Sequence, residues 1–148
     1  MHAAIDAAVE ARHGGGAAIG AVLVDATGKV IATGGSIVGP THDPTAHAEI
    51  NCIRAASQSL GTADLSAYTL YSTLEPCHMC LSGAAWAKIA HVYFGAYRKD
   101  VSPNLFETKN VLSDEREAAH MDLHNGARMQ VHGGILEKEC AHLLHIAQ

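Results

Sequence analysis

Two short segments of this sequence, His47-Ala48-Glu49 and Pro76-Cys77-His78-Met79-Cys80, limit most strongly what the chain can fold into. Thiolate and imidazole groups are the ligands that zinc favours, in a tetrahedral arrangement. We therefore predict that His47, Cys77 and Cys80 bind one Zn2+ ion. A fold that satisfies this prediction has to bring both segments to the same pocket.

The spacing of the two cysteines favours a helical turn. Cys77 and Cys80 are three positions apart, so they share one face of a helix. Pro76 is compatible with a sharp helix start, because its missing N–H is not needed there, and the positive end of the helix favours thiolates. Three protein ligands leave a fourth position for water, which is the pattern of catalytic zinc sites. Water bound there becomes a hydroxide source near neutral pH.

Glu49 lies two positions after His47, and such a pair does not share a face in a regular helix. Both side chains can reach one pocket only from an irregular first turn, and Asp43-Pro44-Thr45 indicates a helix start just before them. Glu49 need not bind the metal. Beside an activated water it is predicted to act as a general base and then as a general acid.

Other interpretations of the Cys-x-x-Cys segment are a thioredoxin-like redox pair or half of a structural zinc site. A redox pair explains neither His47 nor Glu49, and a non-catalytic zinc site needs no proton carrier. A tetrathiolate site would need two further cysteines. Cys52 and Cys140 are widely spaced among apolar residues, so we predict that both are ordinary core cysteines.

Length and charge narrow the function classes. A chain of 148 residues is of ordinary size for one domain, so residues 1–148 are predicted to form a single zinc-dependent domain. The net charge is −5 and no long basic run occurs, which favours a small substrate over nucleic acid without excluding a local basic patch. No apolar run reaches transmembrane length, and the N-terminus lacks a basic signal-peptide region. We therefore expect a cytoplasmic protein that does not associate with membranes.

Hydrophobic periodicity and turn residues predict alternating helices and strands. The predicted helices cover 2–12, 45–57, 77–88 and 136–146, and the predicted strands cover 18–25, 29–36, 70–74, 91–96 and a stretch from 127. Residues 39–44 are predicted to form a loop, and 97–125 loop and short helix. In the second helix Ile50, Ile53 and Arg54 are predicted to face inward. This alternation is typical of a layered α/β domain.

The stretch from Ala21 to Tyr97 resembles the cytidine deaminase superfamily, in its branch of guanine deaminases, tRNA adenosine deaminases and yeast-type cytosine deaminases. The resemblance rests on the segments Asp43–Ile50 and Thr73–Cys80. It implies a three-layer α/β/α sandwich with a central mixed five-stranded sheet. It also implies one zinc ion per subunit, a homodimer, and hydrolytic deamination.

Three further residues bear on the substrate by resemblance. Trp86 lies where guanine deaminases carry a tryptophan, although packing in the core is an equal alternative. Phe106-Glu107-Thr108 loosely resembles their Phe-Asp-Asp segment, which makes Glu107 a candidate contact. Ser36 replaces the asparagine that usually contacts the base in this branch, and its hydroxyl reaches less far than an amide.

These residues predict hydrolytic deamination of a free purine base or nucleoside, most of all one of the guanine type, with release of ammonia. The segment Gly134–Cys140 instead looks more like the tRNA enzymes. Deamination of the wobble adenosine in tRNA is therefore an alternative prediction, and cytosine deamination is a weaker one.

Overall fold

Helices and strands alternate along the chain, as the periodicity predicts. The computed structural model describes residues 1–100 and 127–145. In chain order the elements are α1 (His2–His13), β1 (Ala17–Val24), β2 (Val30–Ser36), α2 (Val38–Thr41), α3 (Ala48–Leu60), β3 (Thr69–Leu74), α4 (His78–Trp86), β4 (His91–Ala96), a 3-10 turn (Arg98–Asp100), β5 (Gln130–His132) and α5 (Glu137–His145).

The five strands form one mixed sheet in the order β2-β1-β3-β4-β5. β1 pairs antiparallel with both β2 and β3, whereas β3–β4 and β4–β5 are parallel pairs. The carboxyl ends of the parallel strands β3 and β4 therefore meet at one edge of the sheet. Crevices outside such ends are the usual ligand sites of α/β sheets.

Helices cover both faces of the sheet, which confirms the predicted three-layer α/β/α arrangement. Successive residues of a strand point to opposite faces. A Cβ at Gly34 would collide with the α3 backbone at Ala48 and Cys52, whereas one at Gly35 would meet Ala11 of α1. Glycines in β2 thus allow α1 and α3 to approach the sheet closely from opposite sides.

Cys52 and Cys140 are fully buried, as predicted for core cysteines. Burial raises the pKa of the Cys52 thiol to about 12 and that of Cys140 to about 11. Both groups therefore stay neutral thiols at physiological pH, and reactive or metal-binding thiolates are not expected at these positions.

The start of α3 differs from the prediction. Residues Asp43–Thr45 form a turn in which the Asp43 carboxylate accepts hydrogen bonds from the backbone N–H and the hydroxyl of Thr45. This local turn competes with helix formation, so α3 begins three residues later, at Ala48. The predicted loop 39–44 also contains part of the short helix α2.

The predicted inward face of α3 was wrong for Arg54, whereas Ile53 packs against the core. Arg54 is exposed, and its guanidinium contacts the Thr45 hydroxyl and the Asp43 carboxylate. Ile50 and Ile53 are only partly buried. The helix instead buries its small and active-site residues, Ala48, Glu49, Cys52 and Ala56.

The remaining boundaries shift by a few residues. Helix α4 ends at Trp86 rather than at Lys88, because Lys88 adopts a positive φ of 62° that ends a helix. The last strand is shorter than predicted and comprises Gln130–His132. Most of the predicted loop region 97–125 lies outside the described residues.

Candidate metal centre and active site

Three side chains from two separate segments converge beside the carboxyl end of β3. The Nδ1 atom of His47 lies 3.7 Å from the sulfur of Cys77 and 3.7 Å from that of Cys80. The two sulfurs are 3.5 Å apart. Within the described part of the chain, this is the cluster of histidine, cysteine and acidic side chains that is positioned to bind a metal ion.

These distances fit zinc. A tetrahedral ion with Zn–S bonds of ~2.3 Å and a Zn–N bond of ~2.0 Å needs ~3.5 Å between nitrogen and sulfur and ~3.8 Å between the two sulfurs. The observed separations of 3.7, 3.7 and 3.5 Å lie within ~0.3 Å of these values. One imidazole and two thiols are also the donor types that zinc prefers. His47, Cys77 and Cys80 are thus arranged to hold the predicted zinc ion.

Both segments present the N-terminus of a helix to the site. His47 is the residue preceding α3 and has an extended backbone, with φ −71° and ψ 156°. Cys77 precedes α4 in the same way, with φ −80° and ψ 168°. Pro76 therefore lies one residue before the cap, and the helix begins at His78, one residue after its predicted start at Cys77. The two positive helix ends favour thiolates at the cluster.

Hydrogen bonding makes the two sulfurs unequal. Hydrogen bonding with Cys80 and with His47 lowers the pKa of Cys77. Hydrogen bonding with Cys77 and burial raise the pKa of Cys80. The surroundings therefore favour the thiolate form more at Cys77 than at Cys80. The Cys80 sulfur lies 3.4 Å from Oε2 of Glu49, to which it donates.

Glu49 is a buried carboxyl group next to the metal ligands. It lies in the first turn of α3, and only 3% of it is exposed. Burial raises the pKa of Glu49, and the negative charge of Cys77 raises it further. Its Oε1 accepts a hydrogen bond of 3.0 Å from the hydroxyl of Ser72, which is also buried. As predicted, the irregular start of α3 lets His47 and Glu49 reach the same pocket.

A cavity of about 220 Å³, counting the space open to solvent, lies over the cluster. The lining residues come from the strand ends and the helix starts: Ile19, Ser36, His47, Ala48, Glu49, Leu74, Glu75 and Arg98. The structure therefore places Ser36 at the cavity, with 1% of the residue exposed.

Of the other two predicted substrate contacts, Trp86 is not brought to the cavity. Trp86 is the last residue of α4 and is 74% exposed, so it neither lines the cavity nor packs in the core. Glu107 lies outside the described residues. Substrate contacts by Trp86 and Glu107 stay predictions.

Sequence reasoning missed two charged residues of the cavity wall. Glu75 and Arg98 follow the carboxyl ends of β3 and β4. The Glu75 carboxylate accepts a hydrogen bond from the Arg98 backbone N–H, and the Arg98 Nε donates to the Glu75 carbonyl. Their positions just after two parallel neighbouring strands were the signal that could have identified them.

A family model for the cytidine and deoxycytidylate deaminase zinc-binding region matches residues 1–96 of this chain. That range contains both metal-ligand segments and Glu49. The chain belongs to this deaminase family. It is thereby an enzyme of the hydrolase class, in a family whose domain binds zinc.

Relatives of this deaminase differ in function. A tRNA-specific adenosine deaminase of Buchnera aphidicola is 35% identical over 144 residues, which is 97% of this chain and 88% of the relative. A guanine deaminase of Bacillus subtilis is 40% identical over 92 residues, which is 62% of this chain and 58% of the relative. Similarity also extends to a tRNA(Ile)-lysidine synthase of Deinococcus radiodurans at 37% identity, but this chain spans only 20% of that protein.

A solved structure of a tRNA:A34 deaminase, which performs A-to-I editing at the wobble position, superposes with a TM-score of 0.76. The two chains are 34% identical, and the match covers 97% of each. Deaminase fold and family are therefore shown, whereas the relatives divide over the substrate. No helix among residues 1–100 and 127–145 has the length and apolar character to cross a membrane. The homodimer and the cytoplasmic location stay predictions.

Proposed function

We propose that this deaminase removes an amino group from a purine base by hydrolysis, with Glu49 as the proton carrier. The observation that carries the proposal is the position of a buried carboxyl group directly beside a three-residue zinc site. A site built only for structure has no use for such a group, because burying a carboxyl costs free energy.

Zinc held by His47, Cys77 and Cys80 would supply Lewis acidity that activates a water molecule. Glu49 accepts a proton from the attacking water and passes it to the ring nitrogen of the base. It then delivers the second proton of the water to the amino group, which leaves as ammonia. A C=O bond replaces the C–NH2 bond, so the net reaction consumes one water and needs no oxidant.

A free purine base or nucleoside of the guanine type is our first candidate substrate. The net charge of −5 opposes tight binding to phosphate backbones. A guanine deaminase is 40% identical to this chain over 62% of its length. Ser36 would present a single hydroxyl to the base where an amide is usual.

Adenosine at the wobble position of tRNA is the second candidate. The observation that favours it is the similarity to tRNA adenosine deaminases, which extends over 97% of this chain. A cavity beside the metal cluster is compatible with this substrate as well, since enzymes that modify a base within a nucleic acid extrude that base into a pocket.

A single panel of substrates distinguishes the two candidate functions. Ammonia release would be measured with guanine, guanosine, adenine, adenosine and cytosine, and inosine formation with a tRNA bearing A34. We expect turnover of a guanine-type compound; inosine formation without turnover of any free compound would establish the tRNA reaction instead. A Glu49→Gln preparation made in parallel controls for contaminating deaminases. Activity on no member of the panel would overturn the proposed function.

A further inference from the structure

Ser72 carries a buried hydroxyl on the central strand β3, on a face of that strand that is otherwise apolar. It lies in β3 between Leu70 and Leu74, whose side chains are on the same face and are both buried. Ser72 itself is fully buried. A hydroxyl in such surroundings destabilises the fold unless it is hydrogen-bonded, and its partner is the active-site carboxyl group of Glu49, at 3.0 Å.

The two oxygens of Glu49 have different partners. Oε1 accepts from Ser72, and Oε2 lies 3.4 Å from the Cys80 sulfur. Once Cys80 binds a metal as a thiolate it no longer has a proton to donate. The Ser72 hydroxyl is a donor that persists in that state, because it does not depend on the protonation of the cysteines.

The strand that carries Ser72 holds it rigidly. Ser72 pairs with Ala21 of β1 on one side and with Phe94 of β4 on the other, so β3 is held on both edges. Serine has a single side-chain torsion before its hydroxyl. A hydrogen-bond donor on a paired central strand fixes the position of its acceptor more precisely than a donor on a loop does.

We infer that Ser72 is a positioning residue, which holds Oε1 of Glu49 so that Oε2 faces the metal ligands and the substrate cavity. This inference rests on the proposed function of Glu49. Without the hydroxyl, Oε1 loses its buried donor and the carboxyl group is free to turn away from the cluster. Proton transfer then suffers, while the metal ligands and the cavity wall stay in place.

The pair Ser72→Val and Ser72→Thr isolates the hydroxyl. Both variants add the same branching methyl group, and only threonine keeps the donor. A hydrogen bond to a charged group corresponds to ~10-fold or more in an equilibrium or rate. For Ser72→Val we expect kcat to fall by about that factor, with KM and zinc content close to those of the parent. Ser72→Thr should retain most of kcat.

The neighbouring residue supplies a matched control. Thr73 is also fully buried, but its hydroxyl accepts the Gly20 N–H on the opposite face of the sheet. Thr73→Val removes a buried hydroxyl without touching Glu49. It should lower stability while leaving kcat within ~2-fold, since its effect is limited to one ordinary hydrogen bond of the fold.

A measurement independent of turnover keeps this inference separate from the proposed function. The zinc-loaded protein is labelled with 13C at the side-chain carboxyl carbons of its glutamates. The NMR signal of Glu49 is assigned as the one that is absent from the spectrum of Glu49→Gln. We expect that signal to move in Ser72→Val, and to stay near its parent position in Ser72→Thr and Thr73→Val. If no substrate is turned over, the proposed function fails, but the NMR comparison still tests the positioning role.

An unchanged Glu49 signal in Ser72→Val, or equal losses of kcat in Ser72→Val and Ser72→Thr, would overturn the inference. If the added methyl group prevents folding of both variants, Ser72→Ala is compared with the parent by the same two measurements. In that case a shifted signal supports the positioning role, and an unchanged signal refutes it.

Discussion

His47 and Cys80 are 33 residues apart in the chain, yet Nδ1 of the histidine lies 3.7 Å from the sulfur of the cysteine. The contact joins the residue that precedes α3 to the first turn of α4. Neither helix can form the metal site alone. The geometry of the metal site therefore depends on how the two helices pack on the sheet.

Replacing Glu49 by Gln tests the proton carrier. The amide fills the same space but cannot accept and return a proton, so we expect activity to fall by ~100-fold or more. Zinc content should remain at one ion per chain, because Glu49 is not among the three ligands. Activity is followed by ammonia release and metal by elemental analysis. Glu10→Gln, the same change at an exposed position of α1, is the control; parent-like activity in Glu49→Gln would refute the role.

Cys80→Ser should abolish stable zinc binding, because a serine hydroxyl is a poor replacement for a thiolate. Zinc per chain, measured after dialysis, is expected to fall towards zero, whereas Cys140→Ala changes a buried cysteine outside the cluster and should keep the metal. Retention of a full equivalent of zinc by Cys80→Ser would contradict the ligand assignment.

Zinc affinity is expected to weaken as the pH falls. Zinc binds the thiolate, whereas the raised pKa of Cys80 means that metal-free protein holds a proton there. Metal binding should therefore release at least one proton at neutral pH. Calorimetric titrations in buffers of different ionisation enthalpy would count it. Binding without proton release would show that Cys80 is already deprotonated in the free protein.

Ser36 tests how the cavity recognises its base. Its side chain is buried and lines the cavity, so Ser36→Ala should weaken substrate binding by the ~2–13-fold that corresponds to one hydrogen bond. The effect should appear in KM, with zinc content unchanged. Ser36→Asn would restore the more usual amide, and a changed ratio of kcat/KM between guanine and adenine compounds is expected. Unchanged kinetics in both variants would remove Ser36 from substrate recognition.

Gly34→Ala should damage the site through the fold. The new Cβ would collide with the α3 backbone at Ala48 and Cys52, so α3 must move. We expect a loss of ~1–3 kcal/mol or more in the free energy of unfolding, together with weaker zinc binding. Gly61→Ala is the matched control, because φ is +67° there and the new Cβ meets nothing within 4 Å. It should cost ~1–2 kcal/mol through backbone strain alone and keep the zinc; equal zinc binding in both variants would contradict the coupling.

The metal ligands were predictable because their chemistry is local in sequence. Two cysteines three positions apart and a histidine beside a glutamate already specify a set of donors and a proton carrier. The same reasoning could not find Ser72, whose partner Glu49 lies 23 residues earlier in the chain. A serine in an apolar strand looks like any half-buried position until the opposing helix is known.

The predicted inward face of α3 shows the same limit. Hydrophobicity favoured Ile50 and Ile53, but close approach of α3 to Gly34 of β2 requires small residues at the contact. Alanines and Cys52 are therefore buried there. For Trp86, resemblance suggested a substrate contact, and only the tertiary structure showed a side chain 74% exposed at the end of α4.

The sequence by itself determined the residue types of the candidate zinc site, the proposed proton carrier and the alternation of strands and helices, because each depends on neighbours within a few positions. Tertiary structure alone decided the distances within the cluster, the donor to Glu49 and the wall formed by Ser36, Glu75 and Arg98. These depend on strand order and on how closely α3 and α4 approach the sheet. Such contacts join distant parts of the chain, and local sequence patterns do not indicate which distant residues come into contact.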